Sequence, residues 1–508
     1  MHISVPSTLA VAAAMLIAGA PAAHASLEDT VRDDLEFAEQ QLRATATSLP
    51  ANRYPASTGP TGEWTTTGPG AWTSGFFPGT LWLAYAASAD PFWRAQGEAR
   101  LAALEGQKRD VTGNDQGFKV FGSFGNAYEL TGNDAYRRVV LRAAESLASR
   151  YSPVVGATRS WGKPSSPDFT VIVDNLMNLE LLFWASKHGG DPALYAMALS
   201  HALKTMRNHV RSDGSTYHVV DFDPQTGGVK RKRTRQGYSR DSTWSRGQAW
   251  AVYGFTMAYR ETGDGRLLGS ARRVADWFVA HLPPDGVPYW DFDAPGIPDT
   301  PRDSSAAAIA ASGLLELAAL EPEAGRAAGY RTAADSMIAT LSADPYLARD
   351  EATQAILLHG TQDKPKGDFD TGLAFGDYYF VEALLRHISP PSPPDSPALE
   401  VTATKRGRRV HGARADGLRA TVSSEEPGRV RAALLFRGAA ARRLDLSGAG
   451  VIGHGRARLE EAGEVGLRVR IARRAAKHLR DLNRVPVTLS VVLRTDGGAS
   501  ATTASLRL

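Results

Sequence analysis

Between residues 27 and 387 the chain alternates two kinds of segment. A charged stretch with apolar residues at helical spacing is followed by one that is apolar or small almost throughout, and Gly, Pro and Asp fill the turns between them. The amphipathic members fall near 27–49, 90–104, 133–150, 191–207, 266–281 and 323–341. The apolar members fall near 72–88, 118–130, 175–187, 246–261, 304–320 and 376–387. Gly132-Asn133-Asp134, Gly190-Asp191 and Gly263-Asp264 place polar capping groups at the starts of three amphipathic helices. A helix apolar on all sides needs cover on all sides. Six such helices ringed by six amphipathic ones predict an all-α (α/α)6 barrel over residues 26–388, with its cleft where inner-helix N-termini meet the loops before them.

From residue 398 the period changes to two. Arg429-Val430-Arg431-Ala432-Ala433-Leu434-Leu435-Phe436-Arg437 and Gly466-Leu467-Arg468-Val469-Arg470-Ile471 alternate between Gly-rich turns, which predicts a small β-sandwich-like domain over 398–508. Residues 389–397 contain five prolines and form an extended linker between the two domains. At the other end, residues 3–20 are nearly all small or apolar, and Ala23-His24-Ala25 before Ser26 fits a signal-peptidase site. Residues 1–25 are therefore expected to be a signal peptide and the protein to be secreted, extracellular or periplasmic, with no membrane span in the mature chain.

Composition separates the domains further. Over 508 residues, 58 Lys+Arg nearly balance 54 Asp+Glu. From Pro391 onward, however, there are 22 basic residues against 11 acidic ones, leaving 36 against 43 before it. Every Trp and Tyr precedes Pro391, and Phe436 is the one aromatic residue after it. A tail without aromatic platforms is not suited to stacking on sugars. It reads either as a charged contact for an anionic polymer or the cell envelope, or as a passive Arg-studded accessory domain; export argues against nucleic acid. With no Cys, disulfide frameworks, thiol nucleophiles and thiolate metal sites are excluded.

Acids at the mouths of inner helices are the first candidates for chemistry. Asp174 lies in Val173-Asp174-Asn175-Leu176-Met177-Asn178-Leu179, and Asp115 in Gly113-Asn114-Asp115-Gln116-Gly117-Phe118. Each also reads as a helix cap, the ordinary task of Asp at that position. As functional groups they would face one another across one opening. A carboxyl near a second carboxylate and partly out of water keeps its proton towards neutral pH, as a general acid requires.

The stretch from Gln236 to Trp250 combines amides, the Arg246 guanidinium and the indoles of Trp244 and Trp250, a set suited to a sugar ring bearing a carboxylate. The same residues read as a core helix capped by Asp241. Trp72 offers a stacking face or a core ring, and His218, in alternating Thr216-Tyr217-His218-Val219-Val220, is structural or catalytic. Lys230-Arg231-Lys232-Arg233-Thr234-Arg235 puts five cations in six residues just before Gln236. That run is a solvated loop or a rim that steers a polyanion inward. No Walker loop, His-Glu-x-x-His or Gly-x-Ser-x-Gly motif occurs.

Taken together, Asp174-Asn175-Leu176-Met177-Asn178-Leu179, Gln236-Gly237-Tyr238 and the segment Asp241-Ser242-Thr243-Trp244-Ser245-Arg246-Gly247-Gln248-Ala249-Trp250 closely resemble the unsaturated glucuronyl hydrolases, glycoside hydrolase family 88. The resemblance runs from Trp72-Thr73-Ser74-Gly75 to Gly376-Asp377-Tyr378-Tyr379-Phe380 and leaves out the basic tail. It implies an (α/α)6 barrel, no metal or organic cofactor, and substrates left by polysaccharide lyases that carry a 4,5-unsaturated uronate at the non-reducing end, often from glycosaminoglycans. It also implies that Asp174 protonates C4 and helps water add at C5, and that Asp115 is the second acid and binds ring hydroxyls. By the same resemblance His218, Gln236, Arg246 and Trp250 line the sugar site and Trp72 stacks.

Two positions depart from the family pattern. Asn114 stands where His is usual, and Arg240 stands where a second acid commonly precedes the residue matched by Asp241. The competing readings are a related unsaturated rhamnogalacturonyl hydrolase acting on pectin fragments, a uronate polysaccharide lyase using Tyr238 or His218 as base with Arg246 on the carboxylate, and a non-catalytic glycan-binding barrel.

Overall fold

The structure, a computed structural model, describes residues 26–390, 398–403, 418–438, 450–478 and 485–507. The expected signal peptide and linker residues 391–397 lie outside the described residues. In chain order the helices of the body are α1 (Leu27–Ser48), α2 (Phe76–Ser88), α3 (Pro91–Leu104), α4 (Asn126–Thr131), α5 (Asp134–Ala148), α6 (Leu179–Lys187), α7 (Ala193–Asn208), α8 (Ser245–Thr262), α9 (Gly265–Ala280), α10 (Ser304–Leu320), α11 (Ala324–Leu341) and α12 (Ala374–Ile388). Odd-numbered helices form the outer ring and even-numbered ones the inner ring. The inner ring closes because α12 packs on both α10 and α2.

The polar starts cap as the sequence suggests. Asn133 accepts from the Ala135 N–H at 3.0 Å, Asp264 from Arg266 N–H at 2.9 Å, and Asp90 from Phe92 N–H at 2.8 Å. Inner helices approach closely where side chains are absent: a Cβ on Gly254 would lie 2.5 Å from Leu176 Cβ, and one on Gly117 would lie 2.7 Å from Asn178 Cα. Two inner helices begin irregularly. A π-helical turn, Gly117–Gly125, leads into α4, and a 3₁₀ turn, Val173–Asn178, leads into α6. Departures of this kind re-aim side chains, and here they lie beside the two candidate acids.

The body is not purely helical. Antiparallel pairs β1 (Tyr54–Thr58) with β2 (Trp64–Thr67) and β3 (Tyr151–Ser152) with β4 (Ala157–Thr158), and the three-stranded sheet β5 (Phe169–Ile172), β6 (Val219–Phe222) and β7 (Val229–Arg233), occupy loops between helices. The last of these is stable because Phe169, Val171, Val220 and Phe222 bury a small core of their own with Val155 and Ala157. No helix among the described residues is long and apolar enough to cross a membrane.

The tail corrects the sandwich expectation. Strands β8 (Leu399–Ala403), β9 (Leu418–Ser424), β10 (Gly428–Phe436), β11 (Val451–Leu459), β12 (Gly463–Ile471), β13 (Pro486–Arg494) and β14 (Ala499–Arg507) form one antiparallel sheet in the order β14-β13-β10-β11-β12-β9-β8. Edge strands β14 and β8 come together, so the sheet curls into a nearly closed barrel around a single core that includes Val422, Leu434, Leu489 and Leu493. Period-two patterning marks one buried face per strand and does not distinguish two facing sheets from one curled sheet.

Strand β10 is buried on both sides. Val430, Ala432, Leu434 and Phe436 face the tail core, whereas Ala433 and Leu435 join the helical core. Arg431 donates to the carbonyls of Gly189 (2.8 Å) and Gly190 (3.0 Å), and Ser490 Oγ donates to Pro192 O at 2.7 Å. The tail is thus docked on α6 and α7 through an apolar centre with polar edges.

Candidate active site

The site is assembled by backbone register before any side chain acts. Ile172 at the end of β5 pairs with Val219 on β6, and Val173 N–H donates to His218 O at 2.9 Å. That register sets His218 beside Asp174. Asn178, one turn beyond Asp174, accepts from the N–H groups of Gly117 (2.7 Å) and Phe118 (3.3 Å) with its Oδ1. It ties the turn that carries Asp174 to the start of the helix that follows Asp115, so the two acids are held by one shared joint.

Both acids face a cavity of about 240 Å³. Desolvation pushes Asp174 up to about 7, and the charge of Asp115 adds to that while Arg246 opposes it. Asp115 is pushed up to about 6, again by burial, with Lys119 and Arg150 working against the rise. His218 is held neutral, well below its usual range, by burial and by the Arg246 charge. Backbone N–H groups of Arg235 (3.4 Å) and Gln236 (3.5 Å) point at its Nδ1, which assigns the ring proton to Nε2. That nitrogen lies 3.7 Å from Asp174 Oδ2. Neither atom has a hydrogen-bond partner, so a buried donor and a buried acceptor face one another beyond hydrogen-bond reach; Asp174 lines the cavity, whereas His218, predicted to line the sugar site, does not.

A loop far along the chain forms another wall. The carbonyl of Gln362 accepts from Gln236 Nε2 at 2.8 Å and from Arg246 Nη2 at 2.6 Å. The Arg246 guanidinium also donates to Thr361 O, pairs with Asp303 at 3.0 Å, and lies 4.6 Å over the Trp244 ring. Arg246 and Gln236 therefore hold this loop in place while still lining the cavity. Trp72 lines it as well, tilted against Phe375 at 5.1 Å. Trp250 does not: it is buried beneath, against Phe118 at 5.2 Å, and belongs to the core.

The structure adds residues that sequence patterning passed over. Trp161 supplies an indole to the cavity, with Arg235 5.1 Å over its ring, and Gln362, Lys366 and Asp368 complete the wall. These sit in loops with no periodicity, and only the presence of Trp in a polar loop could have signalled the first of them. The cationic run behaves differently from a steering rim. Lys230 and Arg231 pair with Asp168 at 2.5 and 2.6 Å, and Arg231 and Arg233 pair with Asp221 at 2.7 and 2.8 Å. Of that run, Arg235 alone lines the cavity.

The two departures also resolve. Asn114 donates from Nδ2 to Asp115 Oδ1 at 3.0 Å, taking the place of a titratable ring with a fixed amide. Arg240 is exposed and pairs with Asp241 at 3.1 Å, away from the cavity, and Asp241 does not cap α8. Tyr238 is 52% exposed and also lies outside the cavity. Among the described residues no cluster of three His, Cys, Asp or Glu side chains could hold a metal ion.

A closed ring of helical hairpins with paired, desolvated acids, indoles and cations at one mouth places this protein among the helical-barrel enzymes that act on acidic sugars. No family model matches the chain. Individual proteins do. The unsaturated glucuronyl hydrolase of Formosa agariphila is 42% identical over 321 residues, spanning 62% of this chain and 79% of that protein. The unsaturated chondroitin disaccharide hydrolase of Streptococcus pyogenes is 37% identical over 322 residues, 62% of this chain and 80% of its own length. The crystal structure of an unsaturated glucuronyl hydrolase specific for heparin superposes with a TM-score of 0.69 at 38% identity, covering 71% of this chain and 97% of that one. The chain belongs to the unsaturated glucuronyl hydrolase family, glycoside hydrolase family 88, and is a glycoside hydrolase of that type.

Proposed function

We propose that the protein releases a 4,5-unsaturated uronate from the non-reducing end of lyase-generated, glycosaminoglycan-derived oligosaccharides by hydrating the vinyl ether. The observation that carries this reading is Asp174: a carboxyl on the cavity wall, raised to about 7, one of whose oxygens is buried without a partner. Protonated, it gives its proton to C4, and the positive charge that forms is shared by C5 and the ring oxygen. Ionised, it takes a proton from the water that adds to C5. The resulting hemiketal opens and the remaining sugar leaves. Asp115, bonded to Asn114, is placed to bind ring hydroxyls and to keep the Asp174 proton available.

Similar proteins support the substrate class. A Streptococcus agalactiae variant with Asn for Asp, 30% identical with a TM-score of 0.61, is solved as a complex with dGlcA-GalNAc6S. A lyase reading is weakened because neither Tyr238 nor His218 lines the cavity. Export of the protein is proposed on the N-terminal pattern alone.

The test is ultraviolet absorbance of the C4=C5 chromophore, with purified protein added to lyase-generated disaccharides and, separately, to intact acidic polysaccharides. Falling absorbance on disaccharides is expected. Rising absorbance on polymers would overturn the reading, since the protein would then make the double bond.

A further inference from the structure

Away from the catalytic cavity, the seam between helical body and tail encloses a second cavity of about 250 Å³. Its walls come from both domains: Lys204 and Arg207 on α7, Arg266 at the start of α9, Arg437 just beyond β10, and Thr503 and Ser505 on β14. None of its lining residues is acidic. Lys204 Nζ donates to Gly227 O at 2.8 Å, and Arg266 pairs with Asp264 at 2.5 Å. Arg207 and Arg437 have no carboxylate partner among the described residues. Tail strand alternation explains the hydroxyls: Ala504 and Leu506 turn to the tail core, so Thr503 and Ser505 turn outward to the seam. A spacing of three residues places Lys204 and Arg207 on one face of α7, where like charges repel unless something negative lies between them.

We propose that this seam is a binding site for the sulfate or carboxylate groups of an anionic oligosaccharide, held by Arg207 and Arg437 with Lys204 and the two hydroxyls beside them. Guanidinium groups from two domains, with no carboxylate partner among the described residues, suit a planar or tetrahedral anion, which each can hold by more than one N–H. No aromatic residue lines the cavity, so the contact is ionic rather than stacked. The preference for an anion rests on the seam itself; the choice of a glycan rests on the proposed function of the barrel. Such a site holds the polymer from which unsaturated ends are cut, and leaves the catalytic cavity free for those ends.

The test is isothermal titration of the full chain with a saturated heparin-derived hexasaccharide, which has no C4=C5 bond to turn over. Arg207→Ala with Arg437→Ala is expected to weaken binding by at least about tenfold, while disaccharide turnover and the circular dichroism spectrum stay as in the parent. Unchanged affinity in the double variant, or equal affinity for a neutral maltohexaose, overturns the proposal. Equal affinity for inorganic polyphosphate, lost in the same variant, overturns the glycan assignment. Absence of disaccharide turnover in the parent would instead count against the barrel's proposed function and leave the titration readable.

Discussion

Asp174 and Asp377 both sit at the start of an inner helix; Asp377 is buried and Asp174 half-buried, and desolvation pushes both up to about 7. Their surroundings differ in one respect. The Asp377 carboxylate accepts from Leu357 N–H at 2.9 Å and Ile356 N–H at 3.2 Å, so both oxygens are occupied and the group holds a loop against α12. Asp174 keeps a buried oxygen without a partner, 3.7 Å from the Nε2 of His218, and the residue lines the 240 Å³ cavity. A raised pKa therefore does not mark a catalytic acid by itself. What marks it is a raised pKa together with a polar atom that the fold leaves unsatisfied and a place on the wall of a substrate-sized cavity.

Four measurements bear on that contrast. The largest effect is expected from Asp174→Asn, which keeps the volume and removes the proton: kcat for an unsaturated disaccharide should fall by roughly 10²–10⁴-fold with KM little changed. Near-normal turnover would end the assignment of Asp174 as the acid. Next comes the pH profile. Activity should fall by about tenfold per unit above about pH 7 as Asp174 ionises. In Asp115→Asn the residual activity should lose its alkaline limb at lower pH, because the negative charge that helped hold the proton is gone.

Asp377→Asn should do the opposite of Asp174→Asn. Its amide oxygen can still accept from one of the two backbone N–H groups, but the N–H₂ cannot accept from the other, so stability to denaturant should drop by about 1–3 kcal/mol, with kcat per folded molecule unchanged. A last effect is on how the stability of Asp174→Asn changes with pH. An acid whose pKa is raised on folding binds its proton more tightly in the native state. It therefore costs nothing below about pH 4, where both states are protonated, and an increasing amount as pH rises to about 7. The unfolding temperature of the variant, relative to the parent, should rise across that window and level off above it.

Much of this was legible along the chain. The two rings of helices follow from the alternation of amphipathic and all-apolar segments, because a helix is built from contacts three and four residues apart. The two acids were legible as residue types at inner-helix starts. The remaining wall of the site was not: Gln236 reaches Gln362 across 126 positions, and Arg246 reaches Thr361 across 115. Trp250 and the cationic run illustrate the opposite difficulty. Both suit a sugar site by composition, but Trp250 packs into the core and Lys230, Arg231 and Arg233 are neutralised by Asp168 and Asp221.

By itself, then, the sequence determined the helical plan, the change to strands at the tail, and which acids stood at the mouth of the inner ring, since these depend on local periodicity and on residue identity. Only the tertiary structure decided which of those acids kept an oxygen without a partner, which seam cations have no carboxylate partner among the described residues, and that the tail's strands curl around one core. Those outcomes depend on desolvation and on pairing between distant segments, and neither is encoded in the spacing of neighbours along the chain.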